Sequence, residues 1–389
     1  MSILRPLSFV GWLWSSAALC AQAPQQIGIG TWNLEFFGAE PTLRNDTPPR
    51  TDDDVMALGT KIRELGVAVL AVQEICGEKP LQQLVKGMGP NWSYVLGTTG
   101  SWDDGKTQQG IGFVFDQSAV ELLSAEELLD FPRDIGGVAV FHRKPVTACF
   151  RHRATGCDFR LVTVHLKAGQ KAADEEKRRL EASTLRAWLD ALAARAGEDH
   201  DVAVLGDFNS APGAEPETLL EQGHALDDLL PHKRAASILH FDAQIDHIFA
   251  AKGFAELGRS TAVVHAVDGD EARRAYRKTY SDHFPVTATI TARSDDDPDA
   301  TFTLGVASQR LPLSVRVADA AATAHAAQPG VSWPPPVGAA VVVRTAAEIL
   351  RGSLAQPLPQ GPGGWVVLNG EGGRLVAIPL GSVQTLRME

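Results

Sequence analysis

The chain has 389 residues, of which 44% are hydrophobic and 21% are charged. This composition is that of a globular protein, and it excludes a disordered chain, a collagen-like chain and a coiled-coil rod. The formal net charge is −11, from 36 Lys and Arg against 47 Asp and Glu. Bulk positive charge therefore does not hold this chain on nucleic acid, whereas an enzyme that meets phosphate groups through a metal ion is compatible with the charge.

The first residues have the pattern of a secretory signal. Arg5 precedes an apolar run from Leu7 to Leu19, and Ala21-Gln22-Ala23 follows as a small-x-small cleavage site. We therefore predict a signal peptide over residues 1–23 and a secreted or periplasmic protein. A membrane anchor is the alternative, but the run is shorter than the roughly 20 residues that a span needs. No later stretch of the sequence is long and apolar enough to cross a membrane.

Hydrophobic patterning predicts an alternation of strands and helices. Short apolar runs predict strands at Ile27–Leu34, Val67–Glu74, Ile111–Phe115, Val138–Phe141, Phe159–Lys167, Val202–Leu205, Ile245–Ala250 and Pro285–Thr291. Apolar residues at helical spacing predict helices at Asp52–Leu65 and Ala172–Ala196. Helices between strands early and late, with hairpins in the middle, indicate an α/β protein in which two sheets pack together with helices outside.

The composition changes after Arg293, and this change predicts the domain boundaries. Residues 24–293 form the large domain, and residues 294–336 form an acidic, Ala/Pro-rich linker region. Residues 337–389 contain short strand-like runs between Gly-rich turns and are predicted to form a small β-barrel-like module. The runs are Ala340–Arg344, Gly364–Leu368, Leu375–Pro379 and Val383–Leu386.

Three cysteines remain once the predicted signal is removed. Cys149 and Cys157 flank turn-like sequence and could come within disulfide range across it, so we predict a bond between them. Two reduced, half-buried thiols are the alternative. Cys76 is then left over and is predicted to be free.

Polar residues that could take part in catalysis follow or meet the predicted buried strands. These residues lie in Thr31-Trp32-Asn33-Leu34, Val72-Gln73-Glu74, Val164-His165-Leu166-Lys167, Leu205-Gly206-Asp207-Phe208-Asn209, Ile245-Asp246-His247 and Ser281-Asp282-His283-Phe284-Pro285. Each segment alone has a structural explanation, such as a solvated strand end or a hydrogen-bonded turn. Packing of a hydrophobic core does not account for so many acids, amides and imidazoles at strand ends. The set together therefore indicates a functional site.

The residue types suit the hydrolysis of a phosphate ester. A hard cation such as Mg²⁺ prefers carboxylate and amide oxygens, which Glu74, Asn33 and Asp282 can supply. Asp207 with Asn209 can orient and deprotonate an attacking water. The remaining candidates are two histidines that give protons or hydrogen bonds to the phosphate and one aspartate that orients the second histidine: His165, His283 and Asp246. No zinc-type spacing, Gly-rich phosphate loop or serine elbow occurs in the sequence.

These six segments, in this order, resemble the endonuclease/exonuclease/phosphatase superfamily, also called deoxyribonuclease-I-like, over roughly Ile27–Thr291. The resemblance implies a four-layer α/β sandwich, with residues 24–293 as its catalytic domain and with the site at one edge of two packed sheets. It also implies cleavage of phosphate esters that depends on Mg²⁺ or Mn²⁺. Asn33 and Glu74 would bind the metal with support from Asp282. Asp207 and Asn209 would position the water, and the two histidines would contact the phosphate, with Asp246 orienting His283.

Two departures from the deoxyribonuclease I pattern concern double-stranded DNA. That enzyme carries an arginine just after its metal glutamate, where this chain has Ile75. It also pairs its first catalytic histidine with a glutamate, where the nearest candidate here is Gln109. Lys167 and Arg143 are weaker candidates for substrate contact, with a solvated lysine as the alternative for the first.

Three functions from different classes fit the sequence. The first is a secreted, metal-dependent nuclease that hydrolyses DNA or RNA, and it is the one that we predict. The second is a phosphodiesterase or phosphatase that acts on a lipid, as a sphingomyelinase does, or on a small phosphate ester. The third is a binding protein that kept the fold without catalysis, which the intact set of acids and histidines disfavours. Nucleic acid is the predicted partner; no protein partner is predicted, and we expect a monomer.

Overall fold

The structure is a computed structural model, and it describes residues 23–38, 47, 49–101, 108–230, 236–303, 309–310, 340–345, 349–354, 365–369, 375–379 and 383–388. The predicted signal peptide lies, apart from Ala23, outside these residues, as does most of the predicted linker region. Within the described part of the chain, no helix combines the length and the apolar character that a bilayer span requires.

The large domain contains fifteen strands among its described residues. In chain order they are β1 Gln25–Phe37, β2 Val67–Ile75, β3 Trp92–Leu96, β4 Gly110–Asp116, β5 Val120–Glu127, β6 Asp134–Ile135, β7 Val138–Ala139, β8 Val146–His152, β9 Asp158–His165, β10 Val202–Asp207, β11 Leu226–Asp228, β12 Asp246–Ala251, β13 Val263–Val264, β14 Val286–Ala292 and β15 Gln309–Arg310. The α-helices are α1 Asp52–Glu64, α2 Glu78–Met88, α3 Ala172–Ala193, α4 Glu215–Glu221, α5 Ala255–Gly258 and α6 Asp270–Thr279.

Thirteen of these strands form two mixed sheets that pack face to face, while β6 and β7 pair as a separate two-stranded sheet. Strand β15 belongs to the second sheet although it lies beyond the predicted domain boundary at Arg293. The first sheet has the order β13-β14-β1-β2-β4-β3, and the second has the order β11-β12-β10-β9-β8-β5-β15. Their facing sides share one core, in which Ile29, Val69 and Phe113 of the first sheet meet Phe150 and Leu205 of the second. Each sheet buries its other side under helices, so the domain is the four-layer α/β sandwich that the sequence predicts.

The helices cover the outer faces of the two sheets with apolar stripes. Leu58 and Ile62 of α1 pack with α2 against the first sheet, and Leu185 and Leu189 of α3 pack against the second. Helix α1 begins where the aspartate run predicts, because Thr51 caps it and exchanges hydrogen bonds with the third helical residue. The predicted long helix is confirmed but ends at Ala193, and the predicted strand Val138–Phe141 is reduced to the two residues of β7.

The predicted disulfide between Cys149 and Cys157 is wrong, because both thiols are free and buried. The register of β8 against β9 explains why these two cysteines do not form a disulfide. Cys149 on β8 lies opposite Arg160 on β9, three residues beyond Cys157, which corresponds to about 10 Å along a strand. That separation exceeds the Cα distance that a disulfide spans. Cys76 is free, as predicted.

The C-terminal residues form a separate antiparallel sheet. Its strands are β16 Ala340–Thr345, β17 Ile349–Leu354, β18 Trp365–Asn369, β19 Leu375–Pro379 and β20 Val383–Met388. Their order is β19-β18-β17-β16-β20. The four predicted runs are strands, and β17 is an additional strand that the sequence reasoning did not identify.

Candidate active site

The two sheets bring the predicted polar segments together at one edge of the sandwich. In the second sheet, Asp207 at the end of β10 lies in register with His165 on parallel β9 and with Asp246 on antiparallel β12. In the first sheet, Asn33 on β1 lies beside the end of β2, where Glu74 follows. Asn33 Nδ2 crosses between the sheets and donates to Asp207 Oδ2 at 3.0 Å. Residues from both sheets therefore share one hydrogen-bonded network.

The close approach of strands β9 and β10 positions Asp207 in this network. A Cβ on the preceding residue, Gly206, would lie 2.1 Å from the Val164 carbonyl oxygen, so only glycine fits there. Asp207 then turns its carboxylate toward Asn33, while its Oδ1 accepts the backbone N–H of Asn209 at 2.8 Å. The side chain is 1% exposed, which makes it a buried acid held by several donors.

Burial raises the pKa of Asp207 to about 7, and the neighbouring Asp246 adds to the rise, while the charge of His283 and the hydrogen bonds from Asn33 and Asn209 oppose it. A carboxyl group with a pKa near 7 exchanges protons readily at neutral pH, which is the property of an effective general base. Asn209 itself is held in place, because its Nδ2 donates to the Leu166 carbonyl at 3.1 Å.

His283 is oriented by Asp246 through a 2.8 Å bond between its Nδ1 and Asp246 Oδ2. Its Nε2 then faces Asp207 Oδ2 at 3.9 Å. Burial disfavours the imidazolium, but the charges of Asp246 and Asp207 outweigh it and raise the pKa of His283 well above its ordinary value. The backbone is also braced, since Ser281 Oγ accepts the His283 N–H and Trp32 Nε1 donates to the His283 carbonyl.

His165 lies on the other side of Asp207 and has the opposite character. Its Nε2 is 3.4 Å from Asp207 Oδ2 and 3.8 Å from Glu74 Oε1. Burial, with the positive charge of Arg143, lowers its pKa well below the ordinary value, so the ring is neutral at pH 7. Its Nδ1 is buried without a hydrogen-bond partner among the described residues. The site thus pairs a neutral histidine with a charged one across a single carboxylate.

Glu74 lies near the end of β2, where the pairing with β4 shifts register between Val72 and Ile75, and it has a left-handed backbone conformation with φ of 60°. Its Oε2 accepts the Phe36 N–H at 3.0 Å, and its Oε1 lies 3.2 Å from the Asn33 amide nitrogen. Among the described residues, five that are not glycine have positive φ, and they are Glu35, Phe36, Glu74, Phe141 and Asn209. Four of them, all except Phe141, belong to this network or contact it, and such strain concentrates at functional sites.

Asn33 acts here as a donor that joins two carboxylates. Its Oδ1 accepts the Glu35 N–H at 3.0 Å, which fixes the amide so that its nitrogen faces Glu74 and Asp207. In this arrangement Asn33 offers no oxygen to a cation. Its predicted role as a metal ligand stays a prediction, and the geometry favours a role in positioning the Glu74 carboxylate.

Asp282 lies at the rim of the network rather than inside it. Its Oδ1 is 3.8 Å from His283 Nε2 and its Oδ2 is 3.4 Å from His240 Nε2. Its charge raises the pKa of Glu35, for which burial is the larger cause.

Two residues that the sequence reasoning did not single out lie beside the site. Glu35 is buried and pairs with Arg277 at 2.6 Å and with Arg50 at 3.6 Å. The Arg50 guanidinium is buried and is close enough to Asp282 and Glu74 for their charges to favour its charged form. Glu35 stands two residues after Asn33, so its position on β1 offered a signal. Arg50 offered none, because a loop that precedes α1 places it.

A cavity of about 1070 Å³ opens beside Glu74 and His165. Its wall is rich in basic side chains, which are Arg133, Arg143, Lys144, Lys167 and Lys177. Both weak substrate candidates are in this wall. The Arg143 guanidinium donates to Gln109 Oε1 at 2.8 Å, and Lys167 pairs with Asp174 at 3.1 Å. A positive surface next to the acids suits an anionic ligand.

Comparison with known proteins places the chain in a family. The model of the endonuclease/exonuclease/phosphatase family matches residues 30–283, a stretch that contains every predicted site residue. The chain therefore belongs to the endonuclease/exonuclease/phosphatase family. Family members are phosphoric ester hydrolases that typically depend on a divalent metal ion. No curated protein sequence matches the chain significantly.

One solved structure shows the same fold at low sequence identity, and two others resemble the chain. An endonuclease/exonuclease/phosphatase from Bacteroides vulgatus is 18% identical, with 69% of this chain and 99% of that chain covered and a TM-score of 0.50. The catalytic domain of human Nocturnin with a bound sulfate anion is 16% identical, with 69% and 94% covered and a TM-score of 0.49. A mannosyl-6-phosphatase from Bacteroides thetaiotaomicron is 15% identical, with 67% and 98% covered and a TM-score of 0.48.

Proposed function

We propose that this chain is a secreted, divalent-metal-dependent phosphodiesterase, and that it is a nuclease that hydrolyses DNA or RNA. The observation that carries the proposal is the arrangement around Asp207. A buried carboxylate with a pKa of about 7 lies between a neutral histidine and a charged one, beside Glu74 and a basic cavity. Proton acceptor, proton donor and anion-binding surface are therefore adjacent.

The Glu74 carboxylate fits a hard divalent cation such as Mg²⁺ or Mn²⁺. Its Oε1 lies on the side of the cavity, close to His165 and Asn33, and carboxylate oxygen is the ligand type that these ions prefer. Asp282 at the rim would support the ion. When bound there, the ion supplies charge neutralisation at the phosphoryl oxygens. The cluster of Asp207, Asp246 and His283 is a poorer cation site, because its carboxylates are already hydrogen-bonded to Asn33, Asn209 and His283.

Asp207 is the proposed acceptor of the proton of the attacking water. Asn33 and the Asn209 backbone hold its two oxygens from opposite sides, so the carboxylate keeps one orientation while its proton count changes. Because its pKa is about 7, it is ionised in a substantial fraction of molecules at neutral pH and can still accept a proton.

The histidines are the proposed donors to the phosphate. His283 is charged and is held through Nδ1 by Asp246, which leaves the Nε2 proton available to a phosphoryl oxygen. His165 is neutral, so it contributes a hydrogen bond without competing with a cation at Glu74. Asp246 is a positioning residue, since it acts through His283.

The basic wall of the cavity supports a polyanionic substrate. Arg143 and Lys167 lie on the side of the site where further phosphates of a nucleic acid strand would extend, and such contacts add affinity without base specificity. Gln109 accepts a hydrogen bond from Arg143, and His165 Nδ1 has no hydrogen-bond partner among the described residues. Ile75 also follows Glu74 at the position where deoxyribonuclease I carries an arginine. The proposal therefore favours single-stranded DNA or RNA over duplex DNA.

A second candidate function is a phosphodiesterase or phosphatase that acts on a small phosphate ester. The size of the cavity supports this candidate, because about 1070 Å³ is close to the upper limit of the volumes of small-molecule pockets.

A substrate panel separates the two candidates. The panel holds single-stranded DNA, RNA, plasmid, sphingomyelin and a monoester, each with Mg²⁺, Mn²⁺ or EDTA, and it is run with the wild type and with Asp207→Ala. The proposal expects metal-dependent cleavage of nucleic acid that Asp207→Ala abolishes. Turnover of only small esters or lipid would replace it with the second candidate, and cleavage that persists in EDTA would contradict both.

A further inference from the structure

An acidic cluster lies at the end of the second sheet that is opposite the active site. Strands β9 and β10 are parallel, so their first residues share one edge while His165 and Asp207 share the other. Residues 294–303, which we name the strap, cross the edge where these strands begin. The strap is held by backbone bonds, since Thr301 N–H donates to Gly197 O at 3.0 Å and Asp199 N–H donates to Thr301 O at 3.1 Å.

The strap brings its own acids against those of the sheet edge. Asp201, Asp295 and Asp296 each offer a carboxylate oxygen, and these oxygens all lie within 4.8 Å of one another. A second, overlapping group joins Asp201 to Glu256 of α5 and to the Cys157 thiol within the same distance. Asp201 belongs to both groups and is the centre of the cluster.

The surroundings of Asp201 are a second, independent observation that points to a bound cation. The side chain is 1% exposed, and its Oδ2 is buried with no hydrogen-bond donor among the described residues. The strongest charges that act on it come from Glu256, Asp199, Asp296 and Asp297, and all of them are negative. A buried carboxylate in such surroundings is costly unless a cation or a proton neutralises it.

Two nearby arginines are already engaged elsewhere. Arg160 is buried and pairs with Glu198 at 3.2 Å, and it also donates to the Thr303 carbonyl. Arg151 pairs with Asp158. The sheet edge thus shows how this protein partners one buried acid, Glu198, and leaves another, Asp201, without a donor.

We propose that Asp201, Asp295 and Asp296, with Glu256, bind a calcium ion that clasps the strap to the start of β10. Calcium takes six to eight oxygen ligands in flexible geometry, and it accepts clustered aspartates. The donors around Asp201 are mainly carboxylate oxygens, with Cys157 as the one sulfur, whereas zinc sites are built mainly from Cys and His. The site is independent of the proposed catalytic reaction and lies at the other end of the strands.

Thermal unfolding of the metal-stripped full chain in EGTA or in 5 mM calcium tests the site, with isothermal titration as the second measurement. Wild type is expected to gain about 5 °C in melting temperature with calcium. Asp201→Asn is expected to lose this gain and, in EGTA, to melt at or above the wild-type temperature because the variant removes one acid from the crowded cluster. Asp299→Asn, an exposed aspartate of the same strap, is the matched control and keeps the gain. Glu74→Gln also keeps it, which separates this site from the active site.

Three outcomes overturn the proposal. They are the absence of a calcium effect in wild type, a gain that survives Asp201→Asn, and a gain that only zinc produces. If Asp201→Asn does not fold, Asp296→Asn takes its place, because that side chain is exposed and its loss leaves the core intact. A calcium gain that is undiminished in Asp296→Asn then counts against the site.

Discussion

A buried aspartate lies at each end of strand β10, and the two have different surroundings: Asp201 directly precedes the strand and Asp207 is its last residue. Asp207 and Asp201 are each 1% exposed, and the strand between them is uniformly buried. Asp207 receives hydrogen bonds from Asn33 and Asn209 and lies between two histidines. The side chain of Asp201 faces carboxylates, and burial with these neighbours raises its pKa to about 10.

The difference shows two ways to keep an acid inside a protein. At the active-site end, the protein supplies donors and histidines, and the pKa of Asp207 stays at about 7, where the group can exchange protons. At the strap end, the protein supplies further acids, and neutralisation has to come from a proton or from an ion. One end is therefore suited to catalysis and the other to binding a cation.

The largest expected effect is a difference in phosphodiesterase activity between variants at the two ends of β10. Asp207→Asn removes the proposed base while it keeps the shape of the side chain, and we expect phosphodiesterase activity to fall by roughly 10²–10⁴-fold. Asp201→Asn is the matched variant at the other end of the strand, and its activity is expected to stay within about threefold of wild type, since the six residues of β10 separate it from Asp207 by roughly 20 Å. Equal losses in the two variants, measured as kcat on one diester substrate, would contradict the division of roles.

The next effect concerns the metal requirement. Glu74→Gln keeps the hydrogen-bonding shape but removes the charge beside His165, so the Mg²⁺ or Mn²⁺ concentration needed for half-maximal activity should rise by about 10–100-fold. Glu64→Gln, at the exposed end of α1, is the control and should leave the metal titration unchanged. A Glu74→Gln titration that overlays that of wild type would remove Glu74 from the proposed metal site.

A third buried acid, Glu217, extends the comparison through the pH dependence of stability. Burial raises its pKa to about 7, although the charge of His247 opposes the rise. Because the folded-state pKa lies above the ordinary 4.5, its stabilising contribution is complete below pH 4.5 and is lost as the pH rises through 7. From pH 5 to pH 8, Glu217→Gln should therefore become more stable relative to wild type by roughly 2 kcal/mol. Urea unfolding at both pH values measures this, and parallel pH profiles for the two proteins would refute it.

The smallest expected effect concerns substrate binding. Lys167→Ala removes a charge at the mouth of the cavity and should raise KM for single-stranded DNA by about three- to tenfold, with a weaker salt dependence and little change in kcat. Lys171→Ala, an exposed lysine before α3, is the matched control. An identical KM in both variants would place the substrate away from Lys167.

The sequence predicts the fold well where strands are buried on both sides. Strands β2 and β10 read as continuous apolar runs because parallel strands in this sandwich have helices or a second sheet on each face. Helix α2 was not recognised because Pro80 and Gly87 interrupt its pattern. Helix α6 buries only Tyr276 and otherwise reads as exposed charge. The disulfide prediction failed because the register of β8 against β9 is a tertiary property that spacing alone does not reveal.

The site was predictable where a polar residue ends a buried strand. His165 and Asp207 are such residues, and their register confirms that they meet. The direction of the Asn33 amide was not predictable, because the Glu35 N–H sets it. No local sequence pattern predicts the position of Arg50 or the bond between Arg143 and Gln109. Both depend on loops and on contacts between segments that are distant in the sequence.

The central claim is that this site hydrolyses phosphodiesters with the help of a divalent metal. The most direct test is the turnover of bis(p-nitrophenyl) phosphate by metal-stripped protein, before and after the addition of Mg²⁺ or Mn²⁺. We predict no turnover before addition, turnover afterwards, and none at any metal concentration with Asp207→Ala. Turnover that EDTA leaves unchanged, or that Asp207→Ala retains in full, would contradict the claim.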